Sequence, residues 1–487
     1  MSNLLNIGST GLHASKKSLE VTGHNISNAN TEGYSRQKVN QSTNVPVTKD
    51  GLIAGTGVRV KSITRVHDKF VEKRLRDTQS DGSYFQNRAE QLSQVEQIFN
   101  EIDNEGLNKV MNTFFNSFRD LANQPENETV RSVVRDKAQL VVKDFKRISE
   151  TLESISRGID TKIERDVADI NREINSIAKL NTKIRELEAI HEETGDLRDQ
   201  RDLSIKTLST KLKIHTYEDE RGNYVVTAPG LGTLVTAAQA QELKSHNFSK
   251  QESSNDMAGS AEVFYKNRSG QKVTDNIQKG SLAAIIKVRN DDVKGLRDKV
   301  DEIAYNFMNL VNSIHRKGFA NRKVETDANG VAKSADAKGP VTGIDFFKVP
   351  QGKNGAALQM DLSAAVKDDL TNISTALSPN SPGDNRVAIA ISKLQHERVM
   401  GEGNATMEEY FLKTVGKVGL EAGKAKLDGE QAEGLIAQAN TIRERISGVS
   451  IDEETANMVR FQHAYEASAK IMQTANEMFD TVISIKR

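Results

Sequence analysis

Two matched rows of large side chains, one at each end of the chain, constrain its fold more than any other feature. Near the start, four aliphatic residues stand seven positions apart, and a small residue follows each of them three positions later. The large residues are Leu5, Leu12, Leu19 and Ile26, and the small ones are Gly8, Ser15, Thr22 and Ala29. A seven-residue repeat predicts a helix with one apolar stripe, and the small residues predict that a partner helix approaches closely.

The C-terminal segment carries the same spacing. Its large residues are Ile451, Met458, Tyr465, Met472 and Phe479, with Phe461, Ser468, Ala475 and Val482 three positions after the last four. Ser450 and Glu453 form a capping box, which predicts a helix of about 35 residues and roughly 50 Å. Because termini usually fray unless something holds them, we predict that the two helices pair with each other or with neighbouring copies. The alternative is that each stripe is only the core face of an ordinary amphipathic helix.

Between the two ends, the sequence predicts helices around a small β-structured piece. Ile163, Ile170, Ile177 and Ile184 repeat every seven residues within residues 126–193, which predicts one long helix of a bundle. Other helical patterns begin near Phe70 and cover residues 107–122, 196–212, 281–316 (with a break near 291–295), 386–399 and 407–446. Residues 28–64 and 318–385 predict loops around short elements.

Residues 212–278 predict β-structure. Residues 213–218 and 224–228 flank a turn at 221–223, and residues 261–267 and 271–274 flank a second turn at 268–270. Each pair predicts a hairpin.

The predicted fold is therefore mainly α. It is a nested, elongated rod whose terminal helices pair as a coiled coil, with a helical bundle domain and a small β-hairpin insert. The predicted segments are an N-terminal core (1–60), the first part of the helical rod (61–211), the β insert (212–278), the second part of the rod (279–444, with the loop region 318–385) and a C-terminal core (445–487). Aromatic residues make up only 5% of the chain, which favours packing through Ile, Leu, Val and Ala over a large compact core.

Little in the sequence points to catalysis. The chain has no Cys, which excludes a disulfide scaffold, a thiolate zinc site and a cysteine nucleophile. Its nine His are scattered, and runs similar to a calcium loop (325–336) and a phosphate loop (419–424) both break their patterns. The acidic run at 196–202 alternates with Arg, which indicates a solvated, ion-paired helix face. We predict no enzymatic activity, no catalytic residue, no metal and no cofactor.

Charge and hydropathy exclude two further partners. The chain has 67 basic and 67 acidic side chains, a balance that argues against binding to nucleic acid. Its longest apolar runs are far shorter than the roughly 20 residues that cross a bilayer, so we expect no membrane insertion. The N-terminus lacks the pattern of a secretory signal peptide, which taken alone predicts a cytosolic protein.

The residues that follow the first helix resemble the N-terminal signature of bacterial flagellar rod, hook and hook-associated proteins. The signature residues are Asn25, Asn28, Asn30, Thr31, Gly33 and Tyr34. The Asn side chains are suited to capping a helix end, and Gly33 to a turn with positive φ. Residues 447–454 and 461–468 resemble the matching C-terminal signature. Within this superfamily, residues 197–202, 280–282, 346–347 and 383–385 are similar to hook-associated proteins of the hook–filament junction, and the resemblance covers nearly the whole chain.

This resemblance implies a structural protein of the bacterial flagellum that forms the junction between hook and filament and allows filament assembly. It implies export of the unfolded chain by flagellar type III secretion, so an extracellular location in the flagellum after a transient cytoplasmic stage replaces the cytosolic expectation. The implied partners are copies of the chain in a ring-like axial assembly, the hook protein, the next hook–filament junction protein and a flagellar export chaperone at the C-terminal helix.

The resemblance also assigns the two rows of large residues to assembly. It implies terminal helices that are disordered in the monomer and pair as a coiled coil in the assembled structure. Those roles fall on Leu5, Leu12, Leu19, Ile26, Ile451, Met458, Phe461, Tyr465, Met472 and Phe479. Many members carry a large outer β domain soon after the position that matches Phe347. Here only a few residues separate Phe347 from residues 356–376, which are predicted to be helical, so we expect that domain to be absent or vestigial.

Two other functions stay open at this point. A hook or distal rod subunit of the same superfamily should be mostly β between its ends. A cell-wall hydrolase that travels with the flagellum would need a Glu or Asp general acid of raised pKa in a cleft, and no residue of the sequence stands out for that role.

Overall fold

The structure is a computed structural model of the 487-residue chain. It describes residues 2–49, 52–99, 106–190, 193–219, 222–247, 260–325, 327, 333–336 and 339–485. In chain order, its helices are α1 (Ser2–Ser27), α2 (Lys69–Gln97), α3 (Leu107–Asn123), α4 (Glu128–Ala189), α5 (Gly195–Lys211), α6 (Gly280–Lys287), α7 (Lys294–His315), α8 (Ala356–Gln359), α9 (Ala364–Asp368), α10 (Arg386–Lys393), α11 (Met407–Ser447) and α12 (Ile451–Ile485). The mainly α class is confirmed.

The strands are short and form small antiparallel sheets. They are β1 (Gln37–Thr43), β2 (Val47–Lys49), β3 (Leu52–Ala54), β4 (Val58–Arg65), β5 (His215–Glu218), β6 (Tyr224–Ala228), β7 (Gly232–Thr236), β8 (Gln239–Ala240), β9 (Leu243–Asn247), β10 (Ala261–Tyr265), β11 (Arg268–Lys272), β12 (Ala335–Asp336) and β13 (Gly339–Pro340). β1 pairs with β4, β2 with β3, and β12 with β13. The other strands form a four-stranded sheet in the order β5-β6-β7-β8 and a three-stranded sheet in the order β11-β10-β9.

The helices are nested as the sequence predicts. α1 packs against α12, and α2 packs against α11, so the first helix meets the last and the second meets the last but one. α2 and α11 approach closely because small residues line their contact. A Cβ at Gly82 would lie 3.5 Å from the Cβ of Ala432, and Gly429 lies against the backbone of Gln86.

The long helix predicted for residues 126–193 is confirmed as α4. Asn127 begins it by accepting a hydrogen bond from the Thr129 backbone N–H, and Gly158 does not interrupt it. The four isoleucines of the seven-residue repeat are all buried. This stripe supports the β insert on one face of α4, where Asn181 donates to the Tyr224 and Ala237 carbonyls.

The break predicted near residues 291–295 is a change of helix type. Val288–Val293 forms a π-helical segment that joins α6 to α7. At its start, the buried Arg289 donates to Asp160 at 2.6 Å and to the Ala261 carbonyl at 2.6 Å. The wider turn is therefore held by an ion pair with α4.

The prediction that a chain with few aromatic residues packs mainly through Ile, Leu, Val and Ala was wrong for the core. Seven of the 16 Phe residues form one buried cluster: Phe114, Phe115, Phe118, Phe145, Phe307, Phe346 and Phe347. Ring centroids within it lie 4.9–6.3 Å apart, the range in which aromatic pairs attract. Clustering outweighs composition here, because α3, α4, α7 and the loop after α7 bring seven of the chain's 16 phenylalanines to one place.

The β regions are more regular than predicted. The first hairpin is confirmed as β5–β6, but the second has its turn at Lys266 and Asn267, two residues earlier than predicted. Strands β7, β8 and β9 were missed because they are only two to five residues long. Likewise, β1 and β4 form an antiparallel ribbon in the region where loops around short elements were predicted.

The outer domain is absent at the expected position. Phe347 forms a bridge with Leu362, and the Lys348 N–H donates to the Asp361 carbonyl, so residues 348–361 close a short loop. The helix predicted for residues 356–376 is wrong: the region holds two helices of four and five residues and a 3-10 turn at Leu370–Asn372.

Candidate assembly site

α1 and α12 meet along a seam of small side chains. The buried residues of α1 include Ala14, Ser15, Ser18, Val21 and Thr22, whereas the predicted row of Leu5, Leu12, Leu19 and Ile26 is half-buried beside them. A Cβ at Gly8 would lie 2.7 Å from Met472 Cγ and 3.3 Å from the Ser468 carbonyl oxygen. The small residues therefore permit the close approach that the sequence predicts, and the large ones flank the contact.

The predicted row on α12 is less covered. Met458, Phe461 and Met472 are half-buried, while Ile451, Tyr465 and Phe479 are 52%, 36% and 47% exposed. Within α12 only Glu454 and Ala475 are buried. One chain thus covers a narrow strip of this helix.

α12 also extends past the start of α1. The helices are antiparallel, because Gly8 lies against Ser468 and Met472 while Asn25 contacts Glu454. Continuing this register places Ser2 opposite Glu477. The remaining residues, 478–485, are about two helical turns that project roughly 12 Å beyond α1. We call them the overhang.

The outer surface of α12 is rich in exposed apolar side chains. Those that are at least one-third exposed are Ile451, Val459, Tyr465, Ile471, Met478, Phe479, Val482, Ile483 and Ile485. Apolar side chains left exposed in this number along one helix indicate a protein contact site.

At the other end of the seam, Asn25 joins four segments. Its amide donates to the Gln37 carbonyl at 2.9 Å and to Glu454 at 3.1 Å. Its side-chain oxygen accepts from the Tyr34 hydroxyl at 2.8 Å and from the Gln37 N–H at 2.9 Å. This buried residue ties α1, the signature loop, β1 and α12 together, and we call the polar cluster around it the hub.

The other signature residues shape the loop around Asn25. Burial, with help from Asp196, Asp199 and Glu454, raises the pKa of Tyr34, so its hydroxyl stays a donor. Gly33 has φ +83°, which favours glycine. Asn28 donates to the His24 carbonyl at 3.0 Å and caps α1, as predicted for an Asn of this signature, and the exposed Thr31 donates to the Asn28 side chain at 3.2 Å. Asn30 is exposed.

Arg36 holds the start of α12 against the signature loop. Its Nε donates to Glu454 at 2.8 Å, and its terminal nitrogens donate to Glu453 at 3.0 and 3.2 Å. Its backbone N–H donates to the Ser447 carbonyl at 2.9 Å, at the end of α11. One residue therefore contacts both sides of the junction between α11 and α12.

A second set of ion pairs connects the hub to α5. Arg65 donates to Asp199 at 2.6 Å and to Asp202 at 2.9 Å, and the Ser35 N–H donates to Asp199 at 2.9 Å. Burial lowers the pKa of Arg65, but the two carboxylates more than offset this, so its pKa is raised overall. Burial raises the pKa of Asp199, an effect that Arg65 opposes.

The prediction of a solvated helix face at residues 196–202 was therefore wrong. Asp199 is 6% exposed, and Arg201 is fully buried with its guanidinium 3.8 Å from the centre of the Tyr224 ring. The face is ion-paired as predicted, but the pairs lie between α5, β4 and the β insert instead of in water.

Arg443 on α11 completes the hub. It donates to Glu72 of α2 at 3.1 Å and to the carbonyls of Gly33 and Tyr34 at 3.1 and 3.3 Å. The charged residues of the hub were missed in the sequence, because their partners lie hundreds of positions away and no local spacing rule connects them. The signature residues nearby were the sequence feature that pointed to this part of the molecule.

The described ranges contain no group of three or more His, Asp or Glu that could hold a metal ion. In the same ranges, no helix combines the length and apolarity needed to cross a membrane. The notable features of this end of the molecule are thus a seam, an uncovered apolar surface and a hub that fixes their position.

Comparison with known families agrees with both signatures. Residues 5–34 match the family described as flagella basal body rod protein, and residues 444–485 match the flagellar basal body rod FlgEFG protein C-terminal family. Residues 92–330, which span α3 to α7, match the flagellar hook-associated protein FlgK helical domain. Rod-type ends around such a helical domain define a flagellar protein of the hook-associated class.

Full-length relatives make the assignment specific. The flagellar hook-associated protein 1 of Bacillus subtilis is 30% identical, over 97% of this chain and 96% of its own length. The proteins of the same name from Salmonella typhimurium and Escherichia coli are 26% and 25% identical, over the whole of both chains. The chain belongs to the flagellar hook-associated protein 1 family.

The fold is also that of a solved structure. The flagellar hook junction protein FlgK from Burkholderia pseudomallei superposes with a TM-score of 0.63, covering 77% of this chain and all of that one, at 13% sequence identity. The likeness concerns the fold alone.

Proposed function

We propose that this chain is a structural subunit of the bacterial flagellum that forms the junction between hook and filament. It acts by assembling with further copies and with the flagellar components on either side, without catalysis. Membership of the hook-associated protein 1 family supports the flagellar role. The similar fold of a flagellar hook junction protein supports the proposed location at the junction.

The observation that carries this proposal is the exposed apolar surface of α12. A long helix with only two buried residues leaves large side chains such as Tyr465 and Phe479 in water. Burying apolar surface is the main driving force of protein association, so neighbouring copies are its natural cover. The seam with α1 presents this surface, and the hub fixes its direction relative to the helical domain.

The finer partners follow from the family resemblance. We propose a ring-like axial assembly, contact with the hook protein and with the next junction protein, and an export chaperone that covers the same apolar surface of α12 before export. We also propose export of the unfolded chain by flagellar type III secretion. A chain without Cys suits that route, because it can refold outside the cell without redox help.

A null strain tests the junction role. We expect electron micrographs to show intact hooks without filaments, with filament subunits lost to the medium. Normal filaments in that strain, or missing hooks, would contradict the proposal.

Point variants test the role of the seam. We expect Leu12→Asp or Met472→Asp, expressed in the null strain, to abolish filament assembly and swimming, because each places a charge beside the α1–α12 contact. His13→Asp and Gln473→Asp are matched controls at neighbouring exposed positions and should swim normally. If strains with Leu12→Asp or Met472→Asp swim as well as the two control strains, the coiled-coil role is wrong.

The two rivals have less support. A hook or distal rod subunit was expected to be mostly β between its ends, whereas the described middle of this chain is dominated by helices such as α4. For a cell-wall hydrolase, an assay of the purified protein on peptidoglycan decides. We expect no cleavage.

A further inference from the structure

A pocket lies between the segment that follows α7 and the segment that precedes α10. Its volume is 470 Å³, and its lining comes from residues 319–323, 375–376, 378 and 380–382. Hydrogen bonds hold the two segments together at both ends of the pocket. At one end the Phe319 N–H donates to the Ala376 carbonyl at 2.9 Å, and at the other the Val324 N–H donates to the Asn380 side chain at 2.8 Å. We call this preformed cavity the loop pocket.

The lining of the loop pocket carries a positive charge. Among the described residues that line it there is no Asp or Glu, whereas there are two cations, Arg322 and Lys323. Arg322 is neutralised by Asp336, whose carboxylate lies 2.7 Å from its Nε. Lys323 is exposed and forms an ion pair with none of the acidic residues that the structure describes. The Lys323 ammonium is therefore available to a ligand.

The acidic side chains next to the loop pocket are paired or solvated. Asp384 lies 2.7 Å from Arg386, and Glu325 lies 2.7 Å from Lys333. Asp327 and Glu126 are exposed and belong to no part of the lining. Exposed charges are screened by water and salt, so they offset the field inside the pocket only weakly.

Behind the lining lies a buried cation that no described carboxylate neutralises. Arg131 of α4 is 1% exposed, and it donates to three neutral oxygens: the Pro125 and Ile373 carbonyls and, at 3.1 Å, the Thr375 hydroxyl. Burial lowers the pKa of Arg131 to about 10, so the guanidinium keeps its charge at pH 7. This charge adds to the positive potential at Thr375.

Two hydroxyl groups of the lining each accept a hydrogen bond from a guanidinium. The Thr375 hydroxyl accepts from Arg131, and the Ser378 hydroxyl accepts from Arg386 at 3.0 Å. Neither hydroxyl donates to an acceptor within the described part of the chain, so each has its own proton left to donate. A hydroxyl that accepts from a cation is a stronger donor, because linked hydrogen bonds polarise one another.

We propose that the loop pocket binds an oxyanion, such as a carboxylate or a phosphate group. The oxyanion accepts hydrogen bonds from the Thr375 and Ser378 hydroxyls and pairs with the Lys323 ammonium. A ligand that only accepts hydrogen bonds matches these three donors. The apolar side chains of Phe319 and Ala376 contact the remainder of an organic anion. The inference goes beyond the junction role, because the loop pocket lies outside the α1–α12 pair.

Titration of the isotope-labelled full chain with sodium phosphate and, separately, with sodium acetate tests the site. Sodium chloride keeps the ionic strength constant at pH 7. We expect the amide chemical shifts of Thr375, Ala376 and Ser378 to change saturably, with a midpoint on the order of 1 mM for the better anion. Tighter binding of phosphate would assign a phosphoryl group as the ligand, and tighter binding of acetate a carboxylate. Shifts that fail to saturate with both anions would overturn the proposal.

A pair of lysine variants tests the role of the ammonium group. Lys323→Met should raise the midpoint about fivefold, the upper end of the effect of an exposed ion pair. Lys317→Met is the matched control, since Lys317 is exposed on the same segment but lies outside the lining. Its midpoint should equal that of the unmodified chain. Equal midpoints in the two variants would contradict binding at this site.

Two substitutions of Thr375 test the hydroxyl donor. Thr375→Val keeps the shape of the side chain and should raise the midpoint roughly tenfold, the cost of one hydrogen bond to a charged group. Thr375→Ser keeps the hydroxyl and should bind as the unmodified chain does. Because Thr375→Val also removes an acceptor of the buried Arg131, Ser378→Ala repeats the test at a half-buried position. Unchanged midpoints in Thr375→Val or, should it fail to fold, in Ser378→Ala would overturn the proposal.

Discussion

The helical domain and the terminal helix pair bury their apolar residues very differently. In α4, 19 residues are buried, and α3 buries nine of its 17. α12 has 35 residues and buries two. The helical domain completes its core within one chain, whereas the terminal pair has a narrow seam of small residues and leaves its large ones in water. We infer that the first region is stable alone and that the second depends on its neighbours.

The largest effect is expected in the aromatic core. Phe114 is fully buried, with its ring centre 5.1–6.0 Å from those of five other phenylalanines. Phe114→Ala should lower the free energy of unfolding by about 4 kcal/mol, measured by urea denaturation. Phe70→Ala, at 85% exposure, should change it by less than about 0.5 kcal/mol. Similar losses for the two variants would contradict a self-sufficient core.

A pH effect should also belong to the helical domain. His315 is fully buried, its Nε2 accepts from the Ser374 N–H at 2.9 Å, and its Nδ1 lies 2.8 Å from the Ile344 carbonyl. Burial lowers the pKa of His315 to about 4 from 6.5. The unfolded chain therefore binds the proton first, and this stability is present above pH 6.5 and is lost as the pH falls to about 4.

The pKa values of His315 in the unfolded and folded chains, 6.5 and about 4, differ by about 2.5 units. Neutral His315 therefore contributes roughly 3 kcal/mol to the free energy of unfolding at pH 7. We expect the difference in unfolding free energy between the unmodified chain and His315→Gln to shrink by that order between pH 7 and pH 4. Urea denaturation of both at several pH values measures it. A difference that stays constant with pH would show that His315 is not held neutral.

At the hub, we expect Glu454→Gln to weaken the attachment of α12 by about 2 kcal/mol. Glu454 is buried and accepts from Asn25 and Arg36. In Glu454→Gln the amide nitrogen would face one of these donors, and a buried hydrogen bond to a charged group is lost. Protection of the first turns of α12 from hydrogen exchange should fall accordingly. Glu453→Gln is the control, since that side chain is 58% exposed. A greater loss of protection in Glu453→Gln than in Glu454→Gln would show that Glu453, and not Glu454, holds the start of α12.

The smallest effect is expected in the seam. Gly8→Val should cost about 1 to 2 kcal/mol of helix pairing, because its side chain would meet Met472 and the Ser468 carbonyl. Gly23→Ala is the matched control on α1, with no atom within 4 Å of its added Cβ, and should be neutral or stabilising. Hydrogen exchange of α1 reports both. Equal exchange in the two variants would mean that the helices do not approach closely in solution.

The two regions were also predictable to different degrees. Long helices with a seven-residue repeat, such as α4 and the terminal pair, follow from local periodicity. Small residues such as Gly8 indicated a close seam for the same reason. The three helical segments in residues 356–376, each of five or fewer residues, were not predictable, because contacts such as that of Asp301 with the Gly355 and Ala357 N–H groups decide where the chain turns.

The hub shows the limit of sequence reasoning at the site. The signature located the loop and explained Gly33 and Asn28. It did not reveal that Asn25 contacts Glu454 or that Arg443 contacts Gly33, since these pairs are 429 and 410 positions apart. Similarly, Asp199 was taken for a solvated residue, because its burial depends on Arg65 and Ser35 from another part of the chain.

The central claim is that neighbouring copies complete the apolar surface of α12. Hydrogen exchange of the isolated chain and of the assembled junction, compared amide by amide, tests it most directly. We predict that the amides of α12 beyond its first turns exchange much faster in the isolated chain than in the assembly, while the amides of α4 are equally protected in both. Equal protection of α12 in both states would contradict the account.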